Sequence, residues 1–184
     1  MEEHEHFVKQ SYRNRCCILS ANGILPLSIP ILHGRNAHTK IQEVQISYEY
    51  DWQKIHWKSI ESGYRCSPFF EYYEDQLIPF YKKKFTFLFD FNQDLLQVLL
   101  KFLKIKTVIG TTEEFVKKYT MADDFRNSIH PKNHLANIDK GFLPQPYTQV
   151  FGNKFGFVPN LSIIDLVFNS GPSSLDILNQ SFCD

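Results

Sequence analysis

Residues 147–172 read YTQVFGNKFGFVPNLSIIDLVFNSGP, and the passage from loop to helix to stop within them decides how the C-terminal part of the chain packs. Phe151, Phe155 and Phe157 close a long polar loop with an aromatic cluster. Pro159-Asn160 then reads as a helix start, with Asn160 at the N-cap, where its side chain could accept from a free backbone N–H. Leu161, Ile164, Asp165 and Phe168 follow at i, i+3, i+4 and i+7, the spacing of one helical face. Gly171-Pro172 stops the helix, because proline cannot continue it. Asp165 is the anomaly on that face. Its neighbours Ile163, Ile164, Leu166 and Val167 are apolar. A buried carboxylate needs a cation, backbone donors or a ligand. A structural anchor is the commoner outcome, and catalysis or ligand binding the rarer one.

Upstream, residues 120–149 are polar, proline-bearing and aperiodic. Structureless connections this long are usually functional or disordered. Arg126, His130, Lys132 and His134 are the groups a lid over an anionic ligand would carry. A surface excursion is the competing expectation.

The first half supplies the sheet and most helices. Residues 7–19 read as a strand interrupted by a basic knot, SYRNRCC, and Asn22-Gly23 is a strong hairpin signal. The returning strand carries Pro26 and Pro30, which suit an edge position because proline donates no ladder bond. Alternation of Val44, Ile46, Tyr48 and Tyr50 with polar residues predicts a further strand over 41–50. Helices are expected at 51–65 (Asp51 as cap), 69–83, 90–104, 161–169 and 173–180. A short strand over 107–111 and a helical turn over 113–119 complete the reading. The expected fold is therefore α/β: a single domain over 1–184, with a mixed sheet that includes the 16–32 hairpin, packed by helices.

Composition narrows the function. Lysine plus arginine equals aspartate plus glutamate, so the formal net charge is +0, and no basic stripe argues for nucleic acid. Seventeen phenylalanines imply a large aromatic core. Cys16, Cys17, Cys66 and Cys183 have no CxxC spacing, which suits free thiols in a reducing compartment. His4 and His6 lack a nearby third ligand, so no metal site is assigned. Neither a signal segment nor a membrane-spanning apolar run is legible, so a cytoplasmic protein with no membrane insertion is expected. HExxH, Walker and GxGxxG patterns are missing, and no cofactor is assigned.

The blocks KQSYRNRCCILSANGILPLSIPI, WQKIHWKSIESGYRCSPFFEYYED, DDFRNSIHPK and QPYTQVFGNKFGFVPNLSIIDLVFNSGP together resemble the WbqC-like protein family, in order along nearly the whole chain. That family is associated with clusters for O-antigen and other surface-polysaccharide biosynthesis. The family's opening strand and loop, with a Pro and Tyr-Phe motif, has no counterpart before His6. The resemblance implies a transferase-type enzyme acting on an activated, nucleotide-linked amino sugar, with a small-molecule substrate. A non-catalytic scaffold of the same pathway is the alternative.

Polar members of the matching blocks include Lys9, Arg13, Asn14, Arg15, Asn22, His56, Ser59, Tyr64, Arg126, Lys132, Gln149, Asn160 and Asp165. Arg13 and Arg15, two apart on a strand, would share a face and suit a phosphate or carboxylate. Pairing with Asp165, Glu71 or Asp75 would satisfy them equally. His56 is the natural proton shuttle, although a lone helical histidine is more often structural. Cys16, next to Arg15, is a weaker nucleophile candidate. The expected site therefore has His56 and Asp165 as catalytic residues. Arg13, Arg15, Asn22, Tyr64, Arg126, Lys132 and Asn160 would bind substrate.

Overall fold

β1 (Arg15–Ser20) and β2 (Gly23–Ser28) form an antiparallel hairpin in register Arg15↔Ser28 to Ser20↔Gly23. Two residues, Ala21 and Asn22, make the turn, and the positive φ it requires falls on Gly23, at 105°. Pro26 lies opposite Cys17, a pair whose backbone groups point away from each other, so its missing N–H costs the ladder nothing. The computed structural model describes residues 1–2, 4–32, 39–117, 124–126, 129, 131 and 141–182.

The strand begins at Arg15 and not near Phe7. Ser11 Oγ donates to Val8 O (2.7 Å) and lies 3.4 Å from Arg13 N, and Gln10 takes φ 57°. Side-chain bonds of this kind compete with a ladder and turn the backbone. Arg13 consequently lies in the turn before the strand, and the expected shared face with Arg15 does not form. The expected strand at 41–50 is also reduced. Ile41–Glu43 curls into a 3-10 turn, and the residues after it make single bridges, Ile31↔Ile46 and Gln45↔Phe87. Among the described residues the sheet is the hairpin itself.

Among the described residues six helices follow: α1 (Trp52–Tyr64), α2 (Phe70–Leu77), α3 (Leu88–Phe102), α4 (Gly152–Phe155), α5 (Ile163–Ser170) and α6 (Ser174–Gln180). A 3-10 segment, Ile78–Tyr81, extends α2, and another, Gly171–Ser173, joins α5 to α6. Asp51 precedes α1 without a side-chain cap bond. The residues expected as a strand at 107–111 take no regular structure and pair with no strand among the described residues, and 113–117 bend without forming a helical turn. Thr112 is held there instead by Met1 O and the Glu2 carboxylate.

Two apolar clusters support these elements. One joins the hairpin (Ile18, Leu27) to Ile60 and Tyr64 of α1, Phe70 of α2 and Phe168 of α5. The other gathers Ile46, Trp52, Phe80, Phe85, Leu88 and Phe91. Leu95 and Val98 of α3 touch both, so α3 is the shared wall. Each fully buried aromatic or aliphatic side chain contributes about 1.5–3 kcal/mol, which makes these rings the main source of stability. No helix of the described residues is long and apolar enough to cross a membrane.

Candidate functional site

Ser162, not Asn160, is the residue that starts α5. Its N–H donates to Cys17 O (2.7 Å), binding the helix start to the outer edge of β1. Asn160 instead adopts φ 60°, a conformation its short side chain tolerates, and donates through Nδ2 to the Tyr12 hydroxyl (3.0 Å). One turn into α5, Asp165 is 0% exposed.

Three neutral side chains donate to the Asp165 carboxylate. Tyr64 Oη donates to Oδ2 (2.8 Å), while Tyr147 Oη (2.8 Å) and Gln149 Nε2 (3.0 Å) donate to Oδ1. Tyr64 Oη also accepts from Leu19 N (3.1 Å), the next outward-pointing N–H of β1. Gln149 is fixed in turn by Val158, whose N–H donates to Oε1 (2.8 Å) and whose carbonyl accepts from Nε2 (2.9 Å). Among the described residues no cation pairs with Asp165. Burial therefore raises its carboxyl above the ordinary range, against the opposing pull of the hydrogen bonds from Tyr147, Tyr64 and Gln149. Burial and the facing carboxylate push both tyrosine hydroxyls up, so they remain protonated donors.

The expected site residues fall into three places. Tyr64 joins Asp165 in the buried cluster. Arg13 and Arg126, 113 residues apart, meet where Arg13 Nη2 approaches Arg126 O (3.4 Å). Arg13 is ion-paired with Glu5 (2.5 Å), and Arg126 with Asp124 (2.5 Å) and Glu2 (3.4 Å). The Arg126 guanidinium holds the Asp124 carboxyl down at about 2. Asn160 reaches the same side through Tyr12, the neighbour of Arg13. His56 lies elsewhere, edge-on to Trp52 at 5.1 Å and hydrogen-bonded to the Ser28 carbonyl. Burial lowers its imidazole to about 4, so it is neutral at physiological pH.

Arg15 donates to Gln10 O (3.1 Å) at the surface. Asn22 sits in the exposed hairpin turn. Lys132, His130 and His134 lie outside the described residues. Burial pushes the Cys16 thiol up to about 11, which leaves little thiolate for nucleophilic attack. Among the described residues no three His, Cys, Asp or Glu side chains come together as a metal site. Tyr147 is the residue that spacing did not single out. The signal was its i, i+2 relation to Gln149, which puts both side chains on one side of an extended segment.

A hairpin-plus-helix α/β protein with an acid buried under tyrosines and an arginine pair at its N-terminal side is thus the class these elements define. The model of the WbqC-like protein family matches residues 1–129, and the chain belongs to that family. It is also 26% identical over 196 aligned residues to "Uncharacterized protein Rv1507c" of Mycobacterium tuberculosis (strain ATCC 25618 / H37Rv), covering 94% of this chain and 83% of that protein. No solved structure matches the chain.

Proposed function

We propose that this chain is a cytoplasmic, transferase-type enzyme of surface-polysaccharide (O-antigen or lipopolysaccharide) biosynthesis that acts on an activated, nucleotide-linked amino sugar. The observation that carries the reading is the meeting of Arg13 and Arg126 from distant parts of the chain, beside the Asn160–Tyr12 contact. Each guanidinium is already held by carboxylates, Arg13 by Glu5 and Arg126 by Asp124 and Glu2, so a diphosphate would take the two forks by displacing those carboxylates. Asn160 and Tyr12 supply neutral hydrogen bonds suited to sugar hydroxyls.

Asp165 is the proton acceptor in this scheme. A carboxyl raised by burial is a better base than a solvated one. Tyr147, half-buried, would take a proton from the attacking group while passing its own to Asp165. His56, held neutral near 4 and donating to Ser28 O, keeps a secondary role as a hydrogen-bonding group near the hairpin base.

The test is a panel of nucleotide sugars in thermal-shift and turnover assays. A stabilising ligand should lose its effect in Arg13→Ala and Arg126→Ala. Tyr147→Phe should retain binding and lose about 10²-fold or more in turnover. A panel that leaves the melting temperature unmoved would sink the reading. One observation favours the scaffold alternative: Tyr72 is 73% exposed while stacked edge-on against Tyr73 at 4.9 Å, a rigid aromatic that a partner protein could cover. Pathway output lost in Tyr72→Ala but retained in Arg13→Ala would select that alternative.

A further inference from the structure

α3 ends in a reciprocal pair of backbone bonds, Ile105 N to Leu100 O (2.9 Å) and Lys104 N to Lys101 O (3.1 Å). This is the Schellman arrangement, and Lys104 occupies its left-handed position at φ 56°, where glycine is usual. The reversal lays the irregular segment after Lys104 beside the last turn of α3. Between them lies a groove of about 510 Å³, within the size range of small-ligand sites. Leu100, Ile105 and Ile109 give it an apolar floor, and Lys101, Lys104 and Lys106 give it charge.

Among the described residues no carboxylate lines this groove. Among the described residues none of the three ammonium groups has an ion-pair or hydrogen-bond partner. In a chain whose formal charges balance, three unneutralised cations around one hollow are a local excess. The helix dipole accounts for a lysine in the last turn, such as Lys101. It does not account for Lys106, which lies beyond the helix end. Val108, 97% exposed, projects from the same segment.

We propose that this groove is a second binding site, for a phosphate-bearing ligand with an apolar portion. The lysines hold the phosphate, and Leu100, Ile105 and Ile109 shelter the apolar part. A soluble phosphate ester and a phospholipid headgroup share this chemistry. The site is separate from the arginine pair, and its ligand does not depend on the pathway assignment above.

The test titrates the full chain with phenyl phosphate and with inorganic pyrophosphate, and sediments it with phosphatidylcholine vesicles with and without phosphatidic acid. The groove variant is Lys101→Gln/Lys104→Gly/Lys106→Gln, whose glycine suits the backbone at 104. Lys54→Gln/Lys58→Gln/Lys82→Gln removes the same charge from elsewhere. Saturable binding should weaken at least about tenfold in the groove variant, stay within about twofold in the control, and fall when salt is raised to about 0.3 M. Phenyl phosphate bound more tightly than pyrophosphate in the Arg13→Ala background identifies a soluble ester, and binding confined to acidic vesicles identifies a lipid headgroup. Failure of both arms, or equal losses in the two variants, overturns the proposal. Arg13→Ala, which removes the diphosphate site proposed above, should leave the phenyl phosphate titration and the vesicle sedimentation unchanged, so failure of the nucleotide-sugar reading and failure of this one are separable.

Discussion

Tyr64 Oη has two tasks, accepting from Leu19 N and donating to Asp165 Oδ2. Removing it strands a buried N–H and strips a buried carboxylate of one donor. Tyr147 and Gln149 share the other carboxylate oxygen, so either can partly cover for its partner. We therefore expect Tyr64→Phe to destabilise by about 2–4 kcal/mol and Tyr147→Phe by about 1–2 kcal/mol, both read from urea midpoints. Equal costs would mean that the two oxygens are not held as described. Asp165 was legible in the sequence because a charge among isoleucines and leucines is conspicuous. Its donors were less so, since tyrosine and glutamine are unremarkable in any window and become a set only once residues 64, 147 and 149 meet.

At the scale of elements, the junction between α5 and α6 is the least forgiving point. Gly171 adopts φ 52°, and a Cβ there would lie 2.6 Å from the Phe69 ring, which packs against it from the start of α2. Gly171→Ala should cost about 2–4 kcal/mol, combining a left-handed alanine with an overpacked ring. Gly152→Ala meets nothing within 4 Å and should be neutral or slightly stabilising, so paired thermal melts of the two variants check the claim. The helices were readable because their apolar spacing survives in isolation, as in α1, α3 and α5. The hairpin was readable too, from Asn22-Gly23, but the start of its first strand and the strand at 41–50 were not. The reading of 7–19 as a strand fails over 7–14, where Ser11 Oγ donates to Val8 O and Gln10 turns the backbone. The 41–50 segment was misjudged for a related reason, since a local 3-10 turn took its first residues. The arginine face inferred from strand spacing failed with the strand, while the approach of Arg126 to Arg13 depends on packing that no local pattern encodes.

For the whole molecule, two buried titrating groups give opposite dependences on pH. His56 titrates near 6.5 when unfolded and about 4 when folded. The unfolded chain binds the extra proton in that interval, so stability is full above about pH 6.5 and falls as pH drops towards 4, by up to roughly 3 kcal/mol. Asp165 acts the other way, because its folded carboxyl is raised: its contribution is greatest below the unfolded carboxylate range and is lost as pH rises through the folded value. Urea midpoints measured between about pH 7 and 4.5 should fall less steeply in His56→Gln than in the parent, and parallel curves would contradict the assignment. A different consequence follows from the outer edge of β1, which is met by Ser162 N–H and the Tyr64 hydroxyl and, among the described residues, by no neighbouring strand. During synthesis the hairpin can close once Ser28 is made, yet Ser162 is made 145 residues after its acceptor, Cys17. Until α5 has cleared the ribosome, that edge lacks its late-made cover and is open to pairing with other nascent chains.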